Sequence, residues 1–315
     1  MQLKLLKNNT IFLPDYTCDT CIKPFFNKNF DIIFYKINSD LSINLDDIKD
    51  KLKNNSNSTV YIQSYFGFNT LKEQITELNK LKDDLKLTYI YDFTHSWLTS
   101  PDFINADFYI ASFRKWLSAP DGGILASKNI DLKKYNISIY ENDTISKDYI
   151  HASKLKIRYL QDDITVKKND FYPLFKKTAE YFNTTEIYSI TKFSKSIYQN
   201  SDFKKISLRR HENGLYLMNN IQNPCIKHVF NSFEKETIPL YIPIYIKDGY
   251  RDVFQKYLIN HNIYFPIHWP VPDLLQKNPP NIYNNIISIV CDHRYTLDDI
   301  KYIISIINSF NPNEA

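Results

Sequence analysis

Glycine is scarce in this chain, with five residues in 315, at Gly67, Gly122, Gly123, Gly214 and Gly249. A dinucleotide fingerprint and a Walker loop each need clustered glycines to bring backbone against phosphate, and neither can be written anywhere here. Cysteine is equally sparse. Cys18 and Cys21 form a C-x-x-C pair, but Cys225 and Cys291 stand too far apart to be a second one, which excludes a disulfide framework and argues against a zinc site. Long apolar runs are absent too: the longest, around Ile238 to Ile246, falls well short of the roughly twenty residues a membrane helix needs. Lys4 and Lys7 at the amino terminus have no continuous apolar stretch behind them, so no leader is expected and the expected compartment is the cytoplasm. Charge of one sign is lacking as well. With 39 basic and 35 acidic side chains, a formal charge of +4 and scattered lysines, nothing marks a nucleic-acid or membrane partner.

What is present is a globular composition, 43% hydrophobic and 23% charged, enough for one or two packed cores. From Ile11 to Ala126 short apolar runs alternate with amphipathic stretches, as in a parallel sheet with crossover helices. Strands are expected at Thr10–Leu13, Asp31–Tyr35, Thr59–Gln63, Leu87–Tyr91, Phe108–Ala111 and Gly123–Ala126. Leu71, Ile75, Leu78, Leu81 and Leu85 recur at helical spacing, as do Leu45, Ile48 and Leu52, while Lys49 to Lys53 read as a solvated helix face. Between about Lys154 and Asn220 the strand signals fade into polar stretches with aromatic punctuation, for example Phe171–Phe182 and Phe203–Met218, expected to be bridging helices. The last hundred residues read as strand (Pro239–Ile246), helix (Tyr250–His261), strand (Ile263–Trp269), strand (Ile286–Cys291) and helix (Leu297–Ser309). Thr296, with Asp299 three positions on, caps the final helix. The expected organisation is a large α/β domain over 1–150, bridging helices over 151–220 and a smaller α/β domain over 221–315.

In an open parallel sheet, ligands lie beyond the carboxyl ends of the strands, so the polar residues that follow each apolar run are the candidates. Here these are Pro14-Asp15-Tyr16-Thr17-Cys18, Ser64-Tyr65-Phe66-Gly67, Asp92-Phe93-Thr94-His95 and Ser112-Phe113-Arg114-Lys115. Taken singly, Asp92 reads as a cap, His95 as a satisfied loop histidine and Lys115 as one lysine among many. Their order is more informative. An acid ending one strand, a histidine three residues on and a Ser-x-x-Lys after the next strand suit a pyridoxal phosphate site. A lysine amine bonds the cofactor aldehyde, an aspartate keeps the pyridine nitrogen protonated, and a serine hydroxyl binds phosphate. The Gly122-Gly123 turn opens the next strand soon after the lysine.

Three segments, Phe12-Leu-Pro-Asp-Tyr-Thr-Cys18, Tyr91-Asp-Phe-Thr-His-Ser96 and Ser112-Phe-Arg-Lys-Trp-Leu117 followed by Pro120-Asp-Gly-Gly123, resemble the DegT/StrS-type sugar aminotransferases of the aspartate aminotransferase superfamily, clearest over residues 10–127. The resemblance implies the three-layer α/β/α architecture of fold type I pyridoxal phosphate enzymes, with a smaller carboxyl-terminal α/β domain. It also implies an amino-acid donor (glutamate), a nucleotide-linked keto sugar as acceptor, a role in surface polysaccharide synthesis, and a homodimer. Residue by residue, Lys115 becomes the Schiff-base lysine, Asp92 the partner of the pyridine nitrogen, His95 a neighbour of the phenolic oxygen and Ser112 a phosphate contact. Cys18 falls where relatives place an aromatic cover over the ring, so that cover is a thiol unless Tyr16 takes the role. His268 and Arg294 become candidates for substrate contact, beside their ordinary readings as packed and exposed side chains. Two departures stand out. Cys18 and Cys21 admit a redox reading but lack the flanking Trp and Gly-Pro of thioredoxin-like sites. Only Met1 to Asn9 precede the first strand, where the family has a phosphate-cradling helix; Met1 to Lys7 read as the tail of such a helix. The resemblance therefore implies either a chain shortened at its start or a relative that binds a sugar nucleotide or protein partner without the cofactor.

Overall fold

A computed structural model of the chain describes residues 6, 8–99, 104–134, 143–181, 188–247 and 249–313. The helix tail expected over Met1 to Lys7 lies, Leu6 excepted, outside the described residues, as does Phe182. The chain divides into two compact units: Met1–Tyr109 with Ser127–Asn129 and Asp202–Ala315, and Ile110–Ala126 with Ile130–Ser201. Among the described residues no helix is long and apolar enough to cross a membrane.

The first unit opens with β1 (Thr10–Pro14), α1 (Asp19–Phe26), β2 (Asp31–Tyr35), α2 (Leu45–Leu52), β3 (Thr59–Gln63), α3 (Ile75–Leu85) and β4 (Thr88–Asp92). The pairings β1–β2, β1–β3 and β3–β4 are all parallel, Ile62 lying opposite Tyr91 and Gln63 opposite Asp92. With β5 (Phe108–Ser112), which begins in the first unit and ends in the second, and β6 (Gly123–Ala126), the strand order is β2-β1-β3-β4-β5-β6. Every residue of β3 and β4 is buried, which is why these central strands read as unbroken apolar runs and not as alternation. The leucine and isoleucine stripes meet the expectation: Ile48 and Leu52 of α2 and Leu78 of α3 are buried. The Asn44 side chain caps α2 by accepting from Asp47 N at 3.0 Å.

The rest of the first unit comprises α7 (Phe203–Asn220), β7 (Ile226–His228), β8 (Tyr241–Ile246), α8 (Arg251–Asn260), α9 (Ile282–Asn285), β9 (Ile286–Val290) and α10 (Leu297–Asn308). β8 is the centre of a three-stranded antiparallel sheet, β7-β8-β9. One apolar core runs continuously from the parallel strands to this sheet, including Phe12, Ile62, Tyr91, Ile244, Ile287 and Ile304. The strand expected over Ile263–Trp269 does not form, and its place in the sheet goes to β7. The cause lies in the sequence: Pro266 accepts from Ser288 N at 3.2 Å but has no N–H to return, and Pro270 and Pro272 follow within a few residues. Gly67 is where the segment before β8 meets the turn after β3. Its φ is +88°, a Cβ there would lie 2.8 Å from Leu240 N, and Leu240 N donates to Phe66 O at 2.8 Å.

In the second unit the end of β5 runs into a 3-10 turn over Phe113–Lys115 and returns through Gly122 and Gly123 to β6. Three helices follow, α4 (Thr144–Leu160), α5 (Lys168–Glu180) and α6 (Lys192–Asn200). α4 and α5 pack through Ala152, Val166 and Phe171. The buried Asp121 carboxylate secures the start of α6, accepting from Thr191 N and Thr191 Oγ1, both at 2.8 Å, and from the Ser194 hydroxyl. These helices fall within the stretch expected to be helical, although α4 starts earlier than Lys154.

Candidate active site

Strand ends of the first unit bring Tyr16, Cys18, Asp92 and His95 into one neighbourhood, together with His268. Asp92 ends β4 and is 7% exposed. Its Oδ2 accepts from the Tyr61 hydroxyl at 2.5 Å and its Oδ1 from Thr94 N at 2.8 Å, which fixes the carboxylate plane. Its backbone oxygen accepts from Ser64 N at 3.0 Å, tying the ends of β3 and β4 together. Burial, and then the negative charge of Asp92, push the Tyr61 hydroxyl well above its usual range, so Tyr61 stays a donor at any physiological pH.

His95 is buried, and its Nδ1 accepts from Phe66 N at 3.5 Å. The imidazole stacks on Trp269 at 5.5 Å and lies 5.8 Å from the ring of His268, whose Nδ1 is 2.8 Å from Ser288 Oγ. His268 is thus a packed histidine that orders the segment where the expected strand is missing. Arg294 keeps an exposed side chain and donates through Nε to Asp292 Oδ1 at 2.8 Å. Burial pushes the Asp292 carboxyl up, but hydrogen bonds from Arg294 and the charge of Arg210 outweigh it and hold the group below the usual carboxylate range.

The loop after β1 is clamped from three directions. Tyr16 is fully buried; its ring meets Tyr65, Trp269 and Tyr283 at 5.1 to 5.6 Å, and its hydroxyl donates to His268 O. Tyr65 donates to Tyr16 O at 2.6 Å, while Thr17 N donates to Tyr283 Oη at 2.9 Å and Tyr283 donates back to Thr17 O at 2.7 Å. Thr17 in turn donates to Gln63 Oε1 at 2.7 Å. Cys18 follows directly, half-buried, as the N-cap of α1, with Sγ 3.3 Å from Cys21 Sγ. Cys21 Sγ lies 3.4 Å from Tyr61 Oη, so the two thiols, Tyr61 and Asp92 form one continuous polar chain. Sequence reasoning missed Tyr61 and Tyr283, and gave Tyr65 no role beyond its place in the segment after the third strand. Tyrosines inside or beside apolar runs read as core, and only the hydroxyl partners reveal their second role.

Ser112 and Lys115 belong to the second unit. Ser112 ends β5, and Lys115 closes the following turn with an exposed side chain. That turn is firmly built: Trp116 N and Leu117 N both donate to Phe113 O at 3.0 Å, and Phe113 N donates to Gly122 O at 3.1 Å. The Phe113 ring stacks on Tyr198 at 4.9 Å. A Cβ on Gly123 would lie 2.7 Å from Ala111 O, so the return past the lysine turn needs glycine. By their chemistry, groups that suit pyridoxal phosphate occur in each unit taken by itself: an oriented buried carboxylate and an imidazole in the first, a hydroxyl and a primary amine on an ordered turn in the second.

The architecture is a mixed α/β fold in which a largely parallel six-stranded sheet carries the candidate residues at its strand ends. It is the fold of the DegT/StrS-type sugar aminotransferases, which the motifs resemble. AtS13 from Actinomadura melliaura is 14% identical, with 98% of this chain and 83% of that one covered at a TM-score of 0.68. A DegT/DnrJ/EryC1/StrS aminotransferase from Brucella abortus is 12% identical over 97% and 81% of the two chains, at 0.66. DesI, solved in the presence of its TDP-sugar product, is 13% identical over 97% and 77%, at 0.68. No family model and no curated protein matches the sequence.

Proposed function

We propose that the chain is a pyridoxal phosphate-dependent aminotransferase that moves an amino group from an amino acid, glutamate, to a keto group of a nucleotide-linked sugar in surface polysaccharide synthesis. The observation that carries this reading is Asp92: a buried carboxylate at a strand end, held by Tyr61 and Thr94 N, with His95 three residues on. The fold shared with sugar aminotransferases supports it, and so does the TDP-sugar product named for DesI.

When bound, the cofactor supplies an aldehyde that bonds amines and a ring that takes up electrons released at the substrate carbon. Lys115 would hold the cofactor through its amine, and that amine, when free, would take and return a proton at the substrate carbon as a positioned general base and general acid. Asp92 would hold a proton at the pyridine nitrogen, and Tyr61, by donating to Oδ2, aims its carboxylate. Ser112 would bind the phosphate, and His95 would be the neighbour of the phenolic oxygen. The enclosure of the Tyr16 ring by three others and the commitment of its hydroxyl to His268 O support Cys18, and not Tyr16, as the residue that would cover the ring.

The test is an absorbance titration of the purified chain with pyridoxal phosphate, then borohydride reduction and peptide mapping. A reduced adduct on Lys115, lost in Lys115→Ala, is the expected outcome. Adducts scattered over surface lysines would sink the proposal.

A further inference from the structure

Cys21 has no part in that reaction, yet the first turn of α1 holds it against Cys18. The backbone bond from Cys21 N to Cys18 O, at 3.0 Å, fixes the turn, and the two sulfurs are 3.3 Å apart. A disulfide needs about 2.05 Å between sulfurs and Cα atoms roughly 4.4 to 6.8 Å apart, a span that positions i and i+3 of one helical turn satisfy, so small side-chain rotations suffice to close the bond. The surroundings of the two thiols differ. Cys18 is the N-cap, where the partial positive charge of the helix end favours a thiolate, and Thr20 Oγ1 lies 2.8 Å from its sulfur. Cys21 faces inward, toward Tyr61 Oη at 3.4 Å with Asp92 beyond. The nearby charges are Asp19, paired with Lys23 at 2.5 Å, and Asp92.

We propose that Cys18 and Cys21 form a reversible dithiol–disulfide couple that exchanges with small-molecule disulfides, Cys18 attacking and Cys21 resolving. The Cys18 thiolate attacks one sulfur of the incoming disulfide, breaking its S–S bond and releasing one small thiolate, which takes up the proton that Cys18 gave to solvent. Cys21 then loses its proton and attacks the Cys18 sulfur of the mixed disulfide, expelling the second small thiolate, which is protonated in turn. Two protein thiols and one disulfide thus become one protein disulfide and two small thiols. The division of labour agrees with the Cys21 thiol, which is pushed well above its usual range by its hydrogen bond to Cys18 and then by burial. The first of these causes disappears once the Cys18 sulfur is tied up in the mixed disulfide, so Cys21 becomes easier to ionise at the moment it must attack.

The inference rests on the thiol geometry and is independent of cofactor binding. Its test uses the full chain with oxidised glutathione as the probe, read by mass spectrometry of the peptide that contains both cysteines. In the unmodified protein that peptide loses two hydrogens and resists alkylation until a dithiol reductant restores it. In Cys21→Ser, glutathione remains on Cys18; in Cys18→Ser, reaction at Cys21 slows by about tenfold or more. A protein that keeps both thiols while Cys225 is modified, a Cys18→Ser variant that reacts at the original rate, or a Cys21→Ser variant that gains no glutathione on Cys18 would each overturn the proposal. Should either variant fail to fold, timed alkylation of the unmodified chain decides: Cys18 labelled about tenfold faster than Cys21 supports it, and equal rates refute it.

Discussion

Asp15 is a half-buried acid outside the proposed chemistry, and its environment makes a testable statement about stability. It accepts from Ile37 N at 2.9 Å, but burial pushes its carboxyl from the usual 3.8 up to about 6, with Asp47 adding to the rise while Lys51 and Lys36 oppose it. Between those values the folded chain holds a proton that the unfolded chain has lost, so stability falls as pH rises from about 4 to about 6 and stays lower above. The loss is at most about 3 kcal/mol at roughly 1.4 kcal/mol per unit. Asp15→Asn keeps an acceptor for Ile37 N, and urea unfolding at a series of pH values should show the fall flattened, with a gain of about 1 to 2 kcal/mol at pH 7. Tyr61→Phe tests the buried carboxylate of Asp92. Removing the hydroxyl takes away a charge-assisted bond to Asp92, and the urea midpoint at neutral pH should fall by an amount worth about 1.5 to 3 kcal/mol; an unchanged midpoint would show that the bond contributes nothing. Asp92, His95 and Lys115 were singled out in the sequence by their order: an acid closing an apolar run, a histidine three residues on and a Ser-x-x-Lys after the next run. Tyr61 was not, because its ring belongs to the same run that makes β3 a buried strand.

At the scale of elements, the parallel half was legible for a simple reason. Strands buried on both faces are apolar in their middles and keep polar residues to their ends, so their limits lie near the limits of apolar runs, and the stripes of α2 and α3 follow the helical period. α4 and α6 lacked that clarity. Several apolar side chains around α4 and its following turn face solvent, Ile157 at 55%, Leu160 at 67% and Ile164 at 93% exposed, so no clean stripe marks the helix. The segment 263–269 misled in the opposite sense, offering alternation that its prolines could not turn into a ladder. Two contacts join elements distant in sequence. Arg210 of α7, 2% exposed, donates to Asp292 Oδ2 at 2.7 Å and to Leu240 O at 3.1 Å. Asp292→Asn strands that guanidinium without a counter-charge and should cost about 3 to 5 kcal/mol, measured by urea or thermal unfolding. Gly67→Ala combines a positive φ with a Cβ too close to Leu240 N, and a loss of about 3 kcal/mol or more is expected by the same measurement.

For the whole molecule, the family resemblance leads us to expect a homodimer. Sedimentation should then give twice the 37.4 kDa of one chain, and a monomer at micromolar concentration would count against it. Ile164, Leu160 and Tyr172 are all well exposed in the second unit. The clamp on the loop after β1 also bears on how the protein is made. Tyr283 and Thr17 exchange hydrogen bonds across 266 positions, and Tyr16 donates to His268 O across 252. A ribosome that has finished the parallel strands has still to deliver both partners. The residues that flank the dithiol therefore reach their final places only after most of the chain has emerged, and a nascent chain halted at residue 240 should expose this loop to proteolysis that the finished protein resists.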